Sequence, residues 1–557
     1  MIPSIAAAHV SRMCAEAVSG FSRCSRAGSA SPAAEPAREP GEQRSAARRW
    51  QRRQGGEQRE HGDDLVVAAA RHRPLRIIRP DSAPALLQRD VRRVTGSFQT
   101  GSHRRATLGA AAGPGDSRAR MTPAPAPLGR ILTLSLPTIG VAFAQAACQT
   151  AEVWFIGRLG TAPLAGYALV LPLLLLMQMM STGAMGGGVS SAIARALGAG
   201  RRDEASALVL HAAIIGIGFG LLFTVLIEVW GPALFRLMGG RDEALANATL
   251  YARTLFAGSA LVWLANTLGA VLRGTGNMRL PAVIMLGVWA IDAPLSAALV
   301  LGTDLGIAGA GIAYVVSFAL ATLAMGAAIL RGGAGFRPSV RTPLDLALFG
   351  RILSVGLVAS VMATIANLTT VLVTALVGRH GTAAIAAFGV GVRFEFLMIP
   401  LAYGIGAALT ALVGMRVGAG DWAGARITAW RGGLMAGAIA GAVGLMVAVF
   451  PGFFARLFAT EPAVREAIRL YLVVVGPSFG ALGLGMALYF ASQGAGRMRV
   501  PFVAALVRIG VAAGGGALVG DRYGLAGLFA CVALGLAGYG VIVASSVRPG
   551  VWPGRGR

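Results

Sequence analysis

The chain has no lysine, and all fifty of its basic side chains are arginine, set against 25 acidic ones. Charge of either sign is scarce, at 13% of residues, where a soluble domain carries about 25%. That scarcity excludes a soluble enzyme or a disordered regulator. Cysteine is nearly absent too. Cys14, Cys24, Cys148 and Cys531 have no metal-like spacing, which excludes a disulfide framework and a zinc site. The six histidines, His9, His61, His72, His103, His211 and His380, form no metal-spaced pair. No nucleophile–base constellation lies in the apolar segments, so catalytic residues, metal ligands and cofactors are all expected to be none. The glycine-rich runs lack the Lys-Ser/Thr of a phosphate loop, which leaves ATP hydrolysis unsupported.

What is present is apolar: 55% hydrophobic residues and 78 glycines, with a mean hydropathy of +0.65. The net charge of +25 is unevenly spread. Residues 1–120 hold 21 arginines and 11 acids without a long apolar run, a composition that cannot repay chain ordering. We read 1–127 as a disordered arginine-rich extension. A basic arm and a transit peptide are alternatives, although transit peptides are poor in acids. The abrupt change of texture after Met121 favours a true start there, with residues 1–120 dispensable.

From Ile131 the chain is a series of apolar runs, each near or above the ~20 residues a membrane helix needs. Twelve are expected, near 131–157, 162–188, 206–229, 250–271, 281–302, 308–330, 349–377, 383–412, 430–452, 466–490, 500–520 and 524–546. Connections on the side of Arg130 collect eighteen arginines and those on the opposite side nine. This asymmetry places both termini in the cytoplasm.

The sequence also repeats itself at an offset of about 220. Gly157-Arg158 returns as Gly378-Arg379, and Gly183 as Gly404. The run from Arg195 to Gly200 returns as Arg416 to Gly420, one residue shorter, and Gly274 to Pro281 returns as Gly494 to Pro501. Gly306 and Gly309 find counterparts in Gly524 and Gly527. Six spans per repeat return the chain to its starting side. The expected fold is therefore all-α and integral to the membrane: two parallel-oriented six-helix bundles related by a pseudo-two-fold axis along the membrane normal, as in transporters that rock two bundles about a central site. The bundles run over 128–330 and 349–546, joined by a cytoplasmic linker at 331–348 and followed by a cytoplasmic tail at 547–557. The Gly-x-Gly turns are read as architectural, and Gly183–Gly188 as a close-packing stretch.

A charge near the bilayer centre costs about 2.5–3.5 kcal/mol on insertion scales, which makes each one a functional candidate. The candidates are Glu152, Asp292, Arg393, Glu395 and Arg508, with Glu228 read as interfacial. Gln145, Gln149 and Glu152 share one helix face by spacing, and a face of two amides and an acid should line a wet cavity or another helix. Asp292 lies beside Pro294, which removes a backbone donor and can bend the helix there. Arg393 and Glu395 are two apart and do not face each other, while Arg508 is a candidate partner for Glu395.

Leu136-Pro137, Gln145 and the run from Ala151 to Gly160 resemble the first span of the multidrug and toxic compound extrusion (MATE) family. So do Leu272 to Asn277, Ile291 to Pro294 and Gly306 to Gly311. The resemblance covers roughly 128–546 and is strongest to the DNA-damage-inducible type of prokaryotic transporter. It implies export of organic, often cationic, drugs or toxic metabolites in exchange for H⁺ or Na⁺, with H⁺ favoured. It further implies a multi-pass monomer in the prokaryotic inner membrane, with no nucleic-acid partner. The family's first-span acid, normally Asp, is here Glu152; its companion amide is Gln145; its fifth-span acid is Asp292. The Asn that often precedes that acid by four is Val288 here. Span seven has no acid, and Asn367 is its only notable polar group, so a second-bundle site would draw on Glu395, Arg393, Arg508 and Asn367. A flippase for lipid-linked precursors is the alternative transporter, disfavoured because only Arg393 and Arg508 are intramembrane cations.

Overall fold

The structure is a computed structural model that describes residues 126–338 and 343–552. The expectations for residues 1–125, the start at Met121 among them, lie outside the described residues. Ten helices are long and apolar enough to cross a bilayer. They are Leu128–Gly157, Thr161–Gly198, Arg202–Leu237, Arg279–Leu301, Ile307–Leu330, Leu346–Gly378, Thr382–Gly418, Trp422–Val449, Pro462–Ala495 and Arg499–Ser546. An eleventh span, fourth in order, is the pair Asp242–Ala257 and Ser259–Gly274, bent by 48° at Gly258. A side chain at Gly258 would collide with Val315 of the sixth span, so the bend brings the backbone against its neighbour.

The last helix holds two spans. Its 48 residues extend roughly 72 Å, more than twice the ~30 Å hydrocarbon core. The helical path is interrupted at Gly524, where φ is 63°. Its repeat counterpart Gly306 has φ 53° and separates the fifth span from the sixth. The chain therefore has twelve transmembrane helices, six in each half.

The repeat is visible in the backbone as well as in the sequence. Among the described residues, eight of the twelve positive-φ glycines fall in pairs: Gly160 with Gly381, Gly200 with Gly420, Gly276 with Gly496, and Gly306 with Gly524. After Gly276 and Gly496, Pro281 and Pro501 sit in the first turn of the next helix, where a missing N–H costs nothing. Span limits differ from expectation mainly where charge marks a helix end. The third span, expected at 206–229, continues to Leu237. The fourth, expected at 250–271, starts at Asp242, whose first turn carries Asp242 and Glu243; acids at that end suit the helix dipole. A short helix, Pro451–Phe458, between the ninth and tenth spans was not anticipated.

Each half has its own buried apolar cluster. The two exchange residues: Ala126, Ile131 and Ala184 pack in the second cluster, and Leu348 and Ile352, the repeat equivalent of Ile131, pack in the first. Contacts between halves gather at the arginine-rich end. There a side chain on Gly188 would meet Gly356, one on Gly404 would meet Ile139 and Ser135, and one on Gly414 would meet Ala194. With no solvent-driven attraction between helices in lipid, such small residues permit the close approach that holds bundles together. Polar bonds reinforce this end. Arg195 donates to the carbonyls of Gln493 and Gly494 at 3.4 and 3.1 Å. Gln493 donates to the Gly183 carbonyl at 3.2 Å. Arg351 pairs with Glu204, and the Asp345 amide donates to His211 Nε2 at 2.9 Å. Gly183 lies in a π-helical turn, Met179–Met185, and its carbonyl is taken by Gln493 across the halves.

Candidate functional site

Glu152 and Asp292, on the first and fifth spans, are both buried inside the first bundle, at 5% and 3% exposure. The Tyr251 hydroxyl, from the fourth span, donates to Glu152 Oε1 at 3.1 Å. The Cys148 thiol, one turn before Glu152 on the same helix, donates to Asp292 Oδ2 at 3.1 Å. The two carboxyl groups are thus linked to one stretch of the first span, through residues four apart that share a helix face. Neither has a cationic partner among the described residues. Asp292 also lies beside the buried Ser317 hydroxyl of the sixth span, and Pro294, two residues on, removes a backbone donor from the same helix.

A second polar chain borders this site. Gln178 donates to the Tyr314 hydroxyl. Asn266 donates to Gln178 Oε1 at 3.2 Å and to Ser181 Oγ at 2.9 Å. These groups tie the second, fourth and sixth spans together, and Trp289 of the fifth packs against the Tyr314 ring at 6.3 Å. Gln145 and Gln149 are half-buried on the first span, and Gln149 Nε2 is buried without a partner. The expected polar face is real, but its acid turns into its own bundle rather than lining an open cavity.

In the second bundle the four expected residues do not form one site. Glu395 accepts from the Tyr471 hydroxyl at 2.9 Å and pairs with Arg508 at 3.4 Å. The cavity beside them measures about 20 Å³, room for roughly one water molecule. Asn367 instead donates to the Ala363 carbonyl of its own helix at 3.0 Å and approaches Met179 of the first half. Arg393 is exposed and points away from Glu395. Two residues along a helix turn the direction by about 200°, so the same spacing that puts Glu395 inward puts Arg393 outward.

Sequence reasoning missed Tyr251, Cys148, Gln178, Asn266 and Tyr314 because it started from charges and considered only a few amides beside or in place of them. The missed signal was an amide or hydroxyl in the middle of an apolar run, which carries a smaller form of the same insertion penalty. No cluster of three metal-ligating side chains occurs among the described residues.

The chain matches the MatE family twice, over 137–297 and over 359–517, one match per half. It is 27% identical over 305 residues to an FAD transporter of Shewanella oneidensis, covering 53% of this chain and 67% of that one. It is 27% identical over 288 residues to the probable multidrug resistance protein YoeA of Bacillus subtilis, covering 50% and 62%. The chain thus spans about two thirds, or less, of the length of these relatives. A solved structure of the Vibrio cholerae MATE transporter VcmN superposes with a TM-score of 0.70 at 23% identity, over 75% of this chain and 96% of that one. Twelve spans in two repeated bundles, a family match that recurs at the repeat, and agreement of the fold over nearly the whole of a known member converge: the chain belongs to the MatE family of multidrug and toxic compound extrusion transporters.

Proposed function

We propose that the protein is a secondary-active exporter of organic small molecules in a prokaryotic inner membrane, driven by inward H⁺ and working by alternating access. One observation carries the coupling: Glu152 and Asp292 are buried in one bundle, each held by a neutral donor instead of a cation. A carboxyl group so held can load and release a proton without first breaking an ion pair. The two repeated bundles, joined by close contacts at the arginine-rich end, support a rocking motion of the halves. The names of the relatives, multidrug resistance and FAD transport, support organic cargo. The arginine asymmetry supports termini in the cytoplasm.

Vesicles containing the purified full chain test the coupling. Export of a panel of organic dyes should be accompanied by movement of pH, and the Glu152→Gln, Asp292→Asn double variant should bind dye while losing that movement. Undiminished dye-linked proton flux in the double variant overturns the assignment. A sodium response with no proton response overturns the choice of ion.

A further inference from the structure

The cleft between the halves carries a fixed positive charge from Arg393, and we propose that it selects amphiphilic organic anions. This deepens the exporter reading and rests on it. On the eighth span, Gly404 faces the first half directly, against Ile139 and Ser135 of the first span. Arg393 lies eleven residues earlier on the same helix, about three turns, so it points to the same side. Gly391 and Glu395 flank Arg393 and face the opposite way, where both meet Tyr471 of the second bundle. Arg393 is therefore turned out of its own bundle and toward the other half. It stands about 16 Å along the helix from the contact, and its surface is exposed.

The same step on the first span leads from Ile139 to Thr150, which is exposed as well, as are Ala146 and Val153 beside it. These three are uncharged, and so are the neighbours of Arg393 on its own face, Ala386, Gly389 and Leu397. An arginine at this depth without a counter-ion is costly if it faces lipid, and such residues turn toward interior water-filled spaces. Arg393 has no ion pair among the described residues. The acids that could cancel it are elsewhere. Glu152 is sealed against Tyr251 within the first bundle, and Glu395 is held by Tyr471 and Arg508. A cation entering the cleft meets a like charge and no exposed carboxylate on these faces. An anion meets a guanidinium suited to carboxylate or phosphate oxygens, with the exposed Phe396 and Leu397 on the same helix. The cargo that fits has an aromatic or aliphatic body and an anionic head.

Two xanthene dyes of similar shape provide the test: carboxyfluorescein as the anion and rhodamine 6G as the cation. Binding is read by fluorescence polarisation on the purified full chain in vesicles with no ion gradient, so the outcome is independent of proton coupling. The wild type should bind carboxyfluorescein at least tenfold more tightly than rhodamine 6G. Arg393→Gln should weaken the anion by roughly tenfold, the worth of one charged hydrogen bond. Arg393→Lys should keep most of the preference, and Arg393→Glu should reverse it. A wild-type preference for rhodamine 6G, no saturable binding of carboxyfluorescein, or an unchanged dye ratio in a folded Arg393→Glu variant each overturns the proposal. If the anion is bound with this preference but never moved by a gradient, the exporter reading fails instead.

Discussion

At the scale of single residues, the first bundle depends on a few neutral donors holding two acids. Tyr251 is the clearest case, because its hydroxyl is fully buried and reaches Glu152. Tyr251→Phe keeps the ring and its packing on Tyr167, 5.5 Å away, and deletes only the hydrogen bond. Side-chain hydrogen bonds between membrane helices average about 0.6 kcal/mol, with losses up to about 1.7. Tyr251→Phe should therefore lower stability by about 1 kcal/mol, read as the midpoint of thermal unfolding in detergent. A larger fall would mean that the hydroxyl also supports the Gln178–Tyr314–Asn266 chain. Glu152 and Asp292 were legible in the sequence because an acid in an apolar run is rare and expensive. Their partners were not, since a tyrosine or cysteine in such a run usually needs no special account. The direction of Arg393 was also hidden, because which face of a helix looks at a partner is decided by the partner.

Among the elements, the eighth helix shows how one sequence serves two surfaces. A methyl group placed on Gly391 would overlap the Tyr471 ring, whereas one on Gly389 meets nothing within 4 Å. Gly391→Ala should displace Tyr471, loosen its bond to Glu395 and cost about 1–3 kcal/mol, as overpacked cores do. Gly389→Ala, two residues away, should be neutral or slightly stabilising, since alanine is the better helix former. Comparable melting midpoints for the two variants would contradict the face assignment on which the position of Arg393 depends. Helix number was legible from length and apolarity alone, and the break between the last two spans from the Gly306–Gly524 match. The bend at Gly258 was not read, although the Gly258-Ser259 pair is a local mark of a kink. The bend sets the Gly258 backbone against Val315, a residue more than fifty positions along the chain.

For the whole molecule, topology and closure can be tested with single cysteines in a variant lacking the native ones. Leu344→Cys, in the linker, should react with an impermeant maleimide only from the cytoplasmic side, and Thr382→Cys only from outside. Labelling of both from one side would contradict the single span, Leu346–Gly378, that lies between them. Closure of the arginine-rich end can be read from Ser191→Cys, a near-isosteric change at a site with no exposure. Its cytoplasmic labelling should be slow. Removing the polar ties with Arg195→Ala and Gln493→Leu should raise the rate by roughly tenfold or more, because each lost bond is worth about 1 kcal/mol and the two act at one contact. An unchanged rate would mean that apolar packing alone holds this end.

The glycine-lined meeting of the halves has a mechanical consequence. At Gly188 and Gly414 the surfaces in contact are largely backbone and methyl groups, and at Gly404 the Ile139 side chain lies on bare backbone. Interlocked surfaces must climb out of one another before they can turn, but smooth ones can slide past by shear. Resistance to rotation should then come mostly from the discrete polar ties at Arg195, Gln493 and Glu204. The seam behaves as a bearing fitted with a few catches, and the speed of turnover is set by how often the catches release together.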